Sequence, residues 1–227
     1  MLRRIQQMPA DVAEGCLRRA YRAPAAVPGI HYPDWYLHRW HGLPEGYLSA
    51  RSVLLYDRYI RRLYFAMSEQ RVHGVVAELL SRSRASSVLE IGCGPGRALA
   101  ALGRRLQAAT LHGVDLSPFM VSAAGRRLAA AAVHASVAHG DARHLGWSDR
   151  SFDAVAAMHL FGHVPENAGR EMLSEVGRVL RPGGELILVE HRWHSLPMEG
   201  WIERERVTSG GAMAVRRFSR ADERDSH

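Results

Sequence analysis

The sequence predicts an α/β fold: a doubly wound sheet of seven strands, mostly parallel, closed by a C-terminal antiparallel hairpin and preceded by an N-terminal helical cap. Three observations carry this prediction. Apolar runs rich in strand formers alternate with helical periodicity from residue 88 to residue 190, the pattern of successive βα units in a parallel sheet. The first run leads into Val88-Leu89-Glu90-Ile91-Gly92-Cys93-Gly94-Pro95-Gly96, where three glycines at alternate positions precede a helix. After the fifth strand, two further runs flank Ser209-Gly210-Gly211 and read as a hairpin.

In chain order, residues 1–30 are rich in Ala and Arg and broken by Pro24, Pro28 and Gly29, so little regular structure is expected there. Residues 31–47 gather His31, Tyr32, Trp35, Tyr36, His38, Trp40, His41 and Tyr47 between prolines and glycines. From Ser52 onward, Val53, Tyr56, Tyr59, Ile60, Leu63, Tyr64 and Met67 recur three or four apart, which gives a helix one apolar face. A second helix is expected over 72–80. These segments form a cap over residues 1–80, ahead of a core domain over residues 81–227. The core is expected to run strand 88–91, helix 98–107, strand 111–115, helix 118–131, strand 136–139, strand 152–158, helix 166–180 and strand 185–190. Hairpin strands over 202–208 and 212–218 follow. Ser117-Pro118 supplies an N-cap and a first-turn proline, and Pro182-Gly183-Gly184 stops the long helix before the fifth strand.

Composition narrows the function. Apolar content of 47% and charged content of 23% suit a globular domain, and no apolar run reaches the length of a membrane span. The basic start (Arg3, Arg4) is followed by Pro9, Asp11 and Glu14 rather than an apolar stretch, so no secretory signal is expected. Cys16 and Cys93 are the two cysteines, and with the second inside the glycine loop no disulfide is expected, which fits a cytoplasmic protein. All 30 basic residues are arginine, so a catalytic lysine is excluded. The net charge of +7 concentrates in residues 1–72, with 11 arginines against 6 acids. Such a surface can face an anionic substrate, a membrane or RNA, or simply be solvated.

Glycines at 92, 94 and 96 let a backbone turn sharply and approach a ligand where a Cβ would clash. The spacing is Gly-x-Gly-x-Gly, one residue tighter than the usual dinucleotide loop. Asp115 ends the second strand, 23 residues after Gly92. Its two acceptor oxygens suit the hydroxyls of a ribose, whether of NAD or of another adenosine cofactor. His139-Gly140-Asp141-Ala142 follows the third strand, and Ser151-Phe152-Asp153-Ala154-Val155 opens the fourth. Met158-His159-Leu160-Phe161-Gly162-His163-Val164-Pro165 comes next, and Leu173 to Leu186 carries a helix, the Pro-Gly-Gly stop and a strand.

In this order the motifs resemble those of class I S-adenosylmethionine-dependent methyltransferases of the ubiquinone/menaquinone-biosynthesis, type-11-domain kind, over roughly residues 85–218. An NAD(P) oxidoreductase would explain the glycine loop and Asp115 but not the Gly-Asp turn, the Pro-Gly-Gly strand or the hairpin. The resemblance implies a Rossmann-like sheet and S-adenosylmethionine as cofactor. It implies that Glu90 and the backbone of Gly92, Cys93, Gly94 and Gly96 hold the amino-acid part of that cofactor, and that Asp115 holds its ribose. Leu116 and Ala142 would flank the adenine, Asp141 would accept its amino group, and backbone at Met158 would complete the pocket. Glu90 can equally be a carboxylate that orients the loop.

Methyl transfer from a sulfonium is an in-line displacement, so alignment and exclusion of water are the protein's main tasks. A hydroxyl or acidic-carbon acceptor also needs a base. His159 and His163, just past the fourth strand at the carboxyl edge of the sheet, are the candidate bases, with packing or turn capping as the alternative. Their spacing has no third ligand beside it, so no metal site is expected. Glu190 and His191 either face substrate or are polar edge residues. N-terminal helices fold over the cofactor mouth in such families, which makes Tyr32, Trp35, Tyr36 and Trp40 the candidate substrate contacts.

The Asn/Asp-Pro-Pro-Tyr motif of amino-methylating nucleic-acid enzymes is absent, no cysteine nucleophile is available, and a lysine tetrad is impossible. The expected partner is therefore a small-molecule methyl acceptor, aromatic or lipid-like, rather than nucleic acid. Its O, N or C acceptor atom, and the oligomeric state, stay open. Two alternatives also stay open: a catalytically inactive cofactor-binding partner subunit, and a quinone or phospholipid methyltransferase at a membrane surface.

Overall fold

A computed structural model of the chain describes residues 30–38, 40–43, 45–60, 69–191, 196–208 and 213–221. It divides into two compact units, Met1–Tyr64 and Phe65–His227. The helix before the first strand falls in the second of these units.

In the first unit, helix α1 (Ala50–Leu55) starts at Ser49, whose hydroxyl accepts the Ser52 N–H at 3.0 Å. The Glu45 carboxylate binds both serine hydroxyls at 2.9 Å. A π-helical turn, Tyr56–Ile60, follows directly. The amphipathic stripe expected beyond it, at Leu63, Tyr64 and Met67, lies outside the described residues. Before α1, the aromatic segment forms turns around a short 3-10 element, Trp40–Gly42. Its rings pack on one another: Tyr32 stacks on Tyr36 at 6.2 Å between centroids, Trp35 meets Tyr36 edge-on at 6.0 Å, and Tyr47 meets Tyr56 at 5.7 Å.

The second unit begins with α2 (Glu69–Arg82), followed by β1 (Ser87–Ile91), α3 (Arg97–Gly103), β2 (Thr110–Asp115), α4 (Pro118–Ala130), β3 (Ala135–His139) and β4 (Phe152–Met158). Then come α5 (Glu166–Val179), β5 (Leu180–His191), β6 (Trp201–Thr208) and β7 (Met213–Arg220). The strands form one sheet in the order β3-β2-β1-β4-β5-β7-β6, parallel up to β5 and antiparallel at β7 and β6. This is the doubly wound seven-stranded sheet the sequence predicts.

Helix α3 is shorter than expected. It ends at Gly103, where an added Cβ would lie 2.2 Å from Val133 Cγ1, so glycine lets the segment after α4 pack against the helix end. Strand β5 starts earlier than expected, because Leu180 already pairs with Phe152. The register then jumps to Glu185 opposite Ala154, which leaves Arg181 to Gly184 as a bulge.

Val88, Leu111, Ala154, Ala156, Ile187, Val189 and Val215 alternate along their strands and bury one face of the sheet under α2, α3 and Leu128 of α4. Helix α5 lies outside that cluster and packs its stripe of Met172, Leu173, Val176 and Val179 against β5. Helices thus cover both faces, and the strands read as near-continuous apolar runs. The chain leaves β1 towards β2 on one side and returns to β4 on the other. The carboxyl ends of β1 and β4 therefore flank the switch point where such sheets hold ligands.

Candidate functional site

The glycine loop lies at that switch point, between β1 and α3. Gly92, Gly94 and Gly96 have φ of 65°, 51° and 73°, a region in which side chains crowd the following carbonyl. At Gly96 a Cβ would lie 2.9 Å from the Cα of Ala124, so α4 can approach the loop only because the residue is glycine. At Gly92 it would meet Leu160 Cδ1 at 2.9 Å. At Gly94 nothing lies within 4 Å, which leaves room beside the backbone in the middle of the loop.

Asp115, at the end of β2, closes the loop from the other side. Its Oδ2 accepts the Gly94 N–H and its Oδ1 the Ser117 N–H, both at 2.8 Å. Burial nevertheless raises its pKa to about 6, against these two donors. Glu90 is only 3% exposed and accepts a backbone hydrogen bond from Leu99, in the first turn of α3. It thereby supplies the capping acceptor that Gly96, at the N-cap, has no side chain to provide. Its Oε2 is buried without a hydrogen-bond partner. Desolvation, and then the neighbouring Asp115 charge, push the Glu90 carboxyl up to about 8. Cys93 is free and buried, with its thiol pushed well up by burial and by these two carboxylates; it lies outside the titrating chemistry.

Past β3, both carboxylate oxygens of Asp141 bind the Arg143 guanidinium, at 2.6–3.1 Å, and Oδ1 also accepts the Arg143 N–H. This is a partner the sequence reading missed, because nothing distinguishes an Arg two residues on in a turn from a solvated one. Ala142 is buried and Leu116 half-buried, and the Leu116 carbonyl lies 3.0 Å from His139 Nε2.

Past β4, Met158 is buried, and His159 reverses the chain with φ of 57°. Desolvation and the nearby His191, His163 and His73 lower the His159 pKa to about 3. His163 turns back over this bend: its Nδ1 lies 3.0 Å from the His159 carbonyl and its N–H donates to the Leu160 carbonyl at 3.0 Å. Glu190, at the end of β5, is buried beneath the same bend and accepts the Phe161 N–H at 2.8 Å. In the first unit, Tyr32 and Tyr36 are buried while Trp35 and Trp40 are half-buried.

Residues 88–184 match the family model described as a methyltransferase domain. The methyltransferase GfsG of Streptomyces halstedii is 32% identical over 127 residues, 55% of this chain and 45% of that protein. The phosphatidylethanolamine N-methyltransferase of Cereibacter sphaeroides is 34% identical over 111 residues, 48% of this chain and 52% of that protein. The chain thus spans about half the length of each of these relatives. The crystal structure of magnesium protoporphyrin IX methyltransferase from Synechocystis, with S-adenosylmethionine bound, superposes with a TM-score of 0.59 over 77% of this chain and 98% of that chain. At 17% identity that likeness shows the fold alone. Residues 88–184 thus match a methyltransferase domain, and the fold is the one seen in this neighbour.

The residues present fit S-adenosylmethionine, the group bound in that neighbour. An unpartnered buried carboxylate oxygen on Glu90 suits a cationic ligand, and the free space at Gly94 lets the ligand lie against backbone. Asp115 keeps lone pairs beyond the two it uses on backbone donors.

Proposed function

We propose that the chain is a methyltransferase that moves the activated methyl group of S-adenosylmethionine to a small, aromatic or lipid-like acceptor. The observation that carries this reading is the pairing of Asp115 with Gly94, at 2.8 Å, beside the unsatisfied Oε2 of Glu90. The cofactor supplies a sulfonium methyl; the chain binds, aligns and excludes water. The backbone from Gly92 to Gly96 and Glu90 hold the amino-acid part, Asp115 the ribose, Leu116 and Ala142 the adenine faces, and backbone at Met158 the pocket wall. Asp141 reads the adenine amino group with a carboxylate already fixed in orientation by Arg143.

Of the two candidate bases, His163 is the better. An imidazole with a pKa near 3 binds a proton too weakly for base catalysis near neutral pH, so His159 serves the bend rather than the proton transfer. Among the aromatic candidates of the first unit, Trp35 and Trp40 keep exposed surface on which a flat acceptor could stack, whereas Tyr32 and Tyr36 are buried. The phospholipid named for one relative and the porphyrin named for the structural neighbour support testing both acceptor kinds.

Calorimetric titration with S-adenosylmethionine, S-adenosylhomocysteine and NADH tests the cofactor. Micromolar binding of the first two and none of NADH is expected, and binding of NADH alone would overturn the reading. Turnover to S-adenosylhomocysteine with a panel of aromatic and lipid acceptors then separates an enzyme from an inactive cofactor-binding subunit. In that assay His163→Ala is expected to slow turnover at unchanged cofactor affinity, and equal turnover would remove His163 as the base.

A further inference from the structure

The Glu190 side chain closes a concavity built from the backbone of the bend after β4. Because His159 takes φ of 57° and the following residues wind into a 3-10 turn, Phe161–His163, successive N–H groups point the same way. Such a nest of backbone donors ordinarily receives an anion. Here the chain supplies the anion itself: the Glu190 carboxylate accepts the Phe161 N–H at 2.8 Å and lies beside the N–H groups of Leu160 and Gly162. Glu190 is 3% exposed and touches neither the glycine loop nor Asp115 in any hydrogen bond found among the described residues. Leaving a buried carboxylate with no acceptor role would be costly, so the three donors and the burial belong to one arrangement.

The bend in turn bears on the cofactor loop. Leu160, which precedes the Phe161 held by Glu190 and whose N–H faces the same carboxylate, lays its side chain against Gly92, where a Cβ would come within 2.9 Å of Leu160 Cδ1. His163 is fixed to the same bend through the carbonyls of His159 and Leu160. A single buried carboxylate thus fastens both the turn that carries His163 and the side chain that braces Gly92.

We propose that Glu190 is a positioning residue that locks the bend after β4 against the glycine loop, so that the cofactor loop and the acceptor-side histidine are held as one rigid unit. This rests on the reading of Gly92–Gly96 as the cofactor loop. Glu190 acts through Leu160 and touches no reacting atom.

The test is a double-mutant cycle read by calorimetric binding of S-adenosylhomocysteine, with thermal melting recorded alongside. Glu190→Gln keeps the size of the side chain but offers one acceptor oxygen and an NH2 group to a nest of three donors. Leu160→Ala leaves Glu190 and its donors in place and removes only the brace on Gly92. Each variant is expected to bind S-adenosylhomocysteine about 5- to 10-fold more weakly, and the double variant no more weakly than the worse single one, because both break the same link. Amide proton shifts of Leu160, Phe161 and Gly162 are expected to move together in Glu190→Gln. Unchanged affinity in a folded Glu190→Gln, or losses that multiply in the double variant, would reduce Glu190 to a fold-stabilising residue. Should Glu190→Gln fail to fold, wild-type affinity in Leu160→Ala alone overturns the proposal. Absence of S-adenosylhomocysteine binding by the wild-type chain would sink the cofactor reading instead, so the two failures are distinguishable.

Discussion

At the scale of single residues, Asp115 has one duty in the structure and one in the proposed site. It accepts the backbone N–H groups of Gly94 and Ser117, and in the proposed site its remaining lone pairs would receive a ribose. Asp115→Ala is expected to weaken S-adenosylmethionine binding by about 1.5–3 kcal/mol, the range for hydrogen bonds to a charged group. Calorimetry checks it, and unchanged affinity would take Asp115 out of the site. His159 shows a different kind of constraint. With φ of 57° it occupies backbone that favours glycine, so His159→Gly is expected to melt no lower than wild type, whereas His159→Ala gains no relief from the left-handed region. A large loss of melting temperature in His159→Gly would mean that the imidazole, not the bend, holds this position.

Among the elements, the glycine loop and α4 give a sharper contrast. Gly96 and Gly94 share positive φ, but only Gly96 has backbone within 2.9 Å of an added Cβ. Gly94→Ala is expected to cost about 1–2 kcal/mol of stability, from the left-handed backbone alone, and to lose cofactor affinity out of proportion. Gly96→Ala is expected to cost more than that, because Ala124 Cα belongs to a helix and cannot yield as a side-chain tip would. Comparing denaturant midpoints of the two variants settles the order. These elements also show what the sequence disclosed. Strand–turn–helix signals with glycine, serine and proline at fixed offsets act locally, so the loop, the Ser117-Pro118 start of α4 and the seven strands were legible. The bulge at Arg181 to Gly184 was not, since it depends on pairing with Phe152, a segment far away in sequence. The nest beneath the bend was illegible for the same reason: Glu190 read as either a substrate-facing or an edge residue, and only the fold brings it beneath the N–H groups of residues 160–162.

For the molecule as a whole, the raised carboxylates are expected to make folding and cofactor binding respond to pH in opposite directions. Burial raises Glu90 to about 8, Glu190 to about 7 and Asp115 to about 6, each above its value in an unfolded chain, roughly 4. Between those limits the native state holds protons that the unfolded state has released, so these groups stabilise the fold fully below pH ~4 and lose that contribution as pH rises through 6 to 8. Asp153 and Glu203 act the other way. Serine, backbone and arginine donors hold Asp153 down to about 2, and two arginines do so for Glu203, so their contribution is present above pH ~4 and is lost in acid. The ligand-free protein is therefore expected to melt highest in mildly acidic buffer and progressively lower from pH 5 to pH 8. S-adenosylmethionine brings positive charge, which favours ionised Glu90 and Asp115. Its affinity is expected to rise over the same interval, and the melting shift at saturating cofactor to be larger at pH 8 than at pH 5. Melting curves with and without cofactor across that interval decide the matter. A ligand-free melting temperature that is flat from pH 5 to pH 8 would show that the buried carboxylates titrate as they do in water. A falling melting temperature with no growth in the cofactor shift would mean that the bound cation lies away from Glu90 and Asp115, and would move the cofactor site off the end of β1.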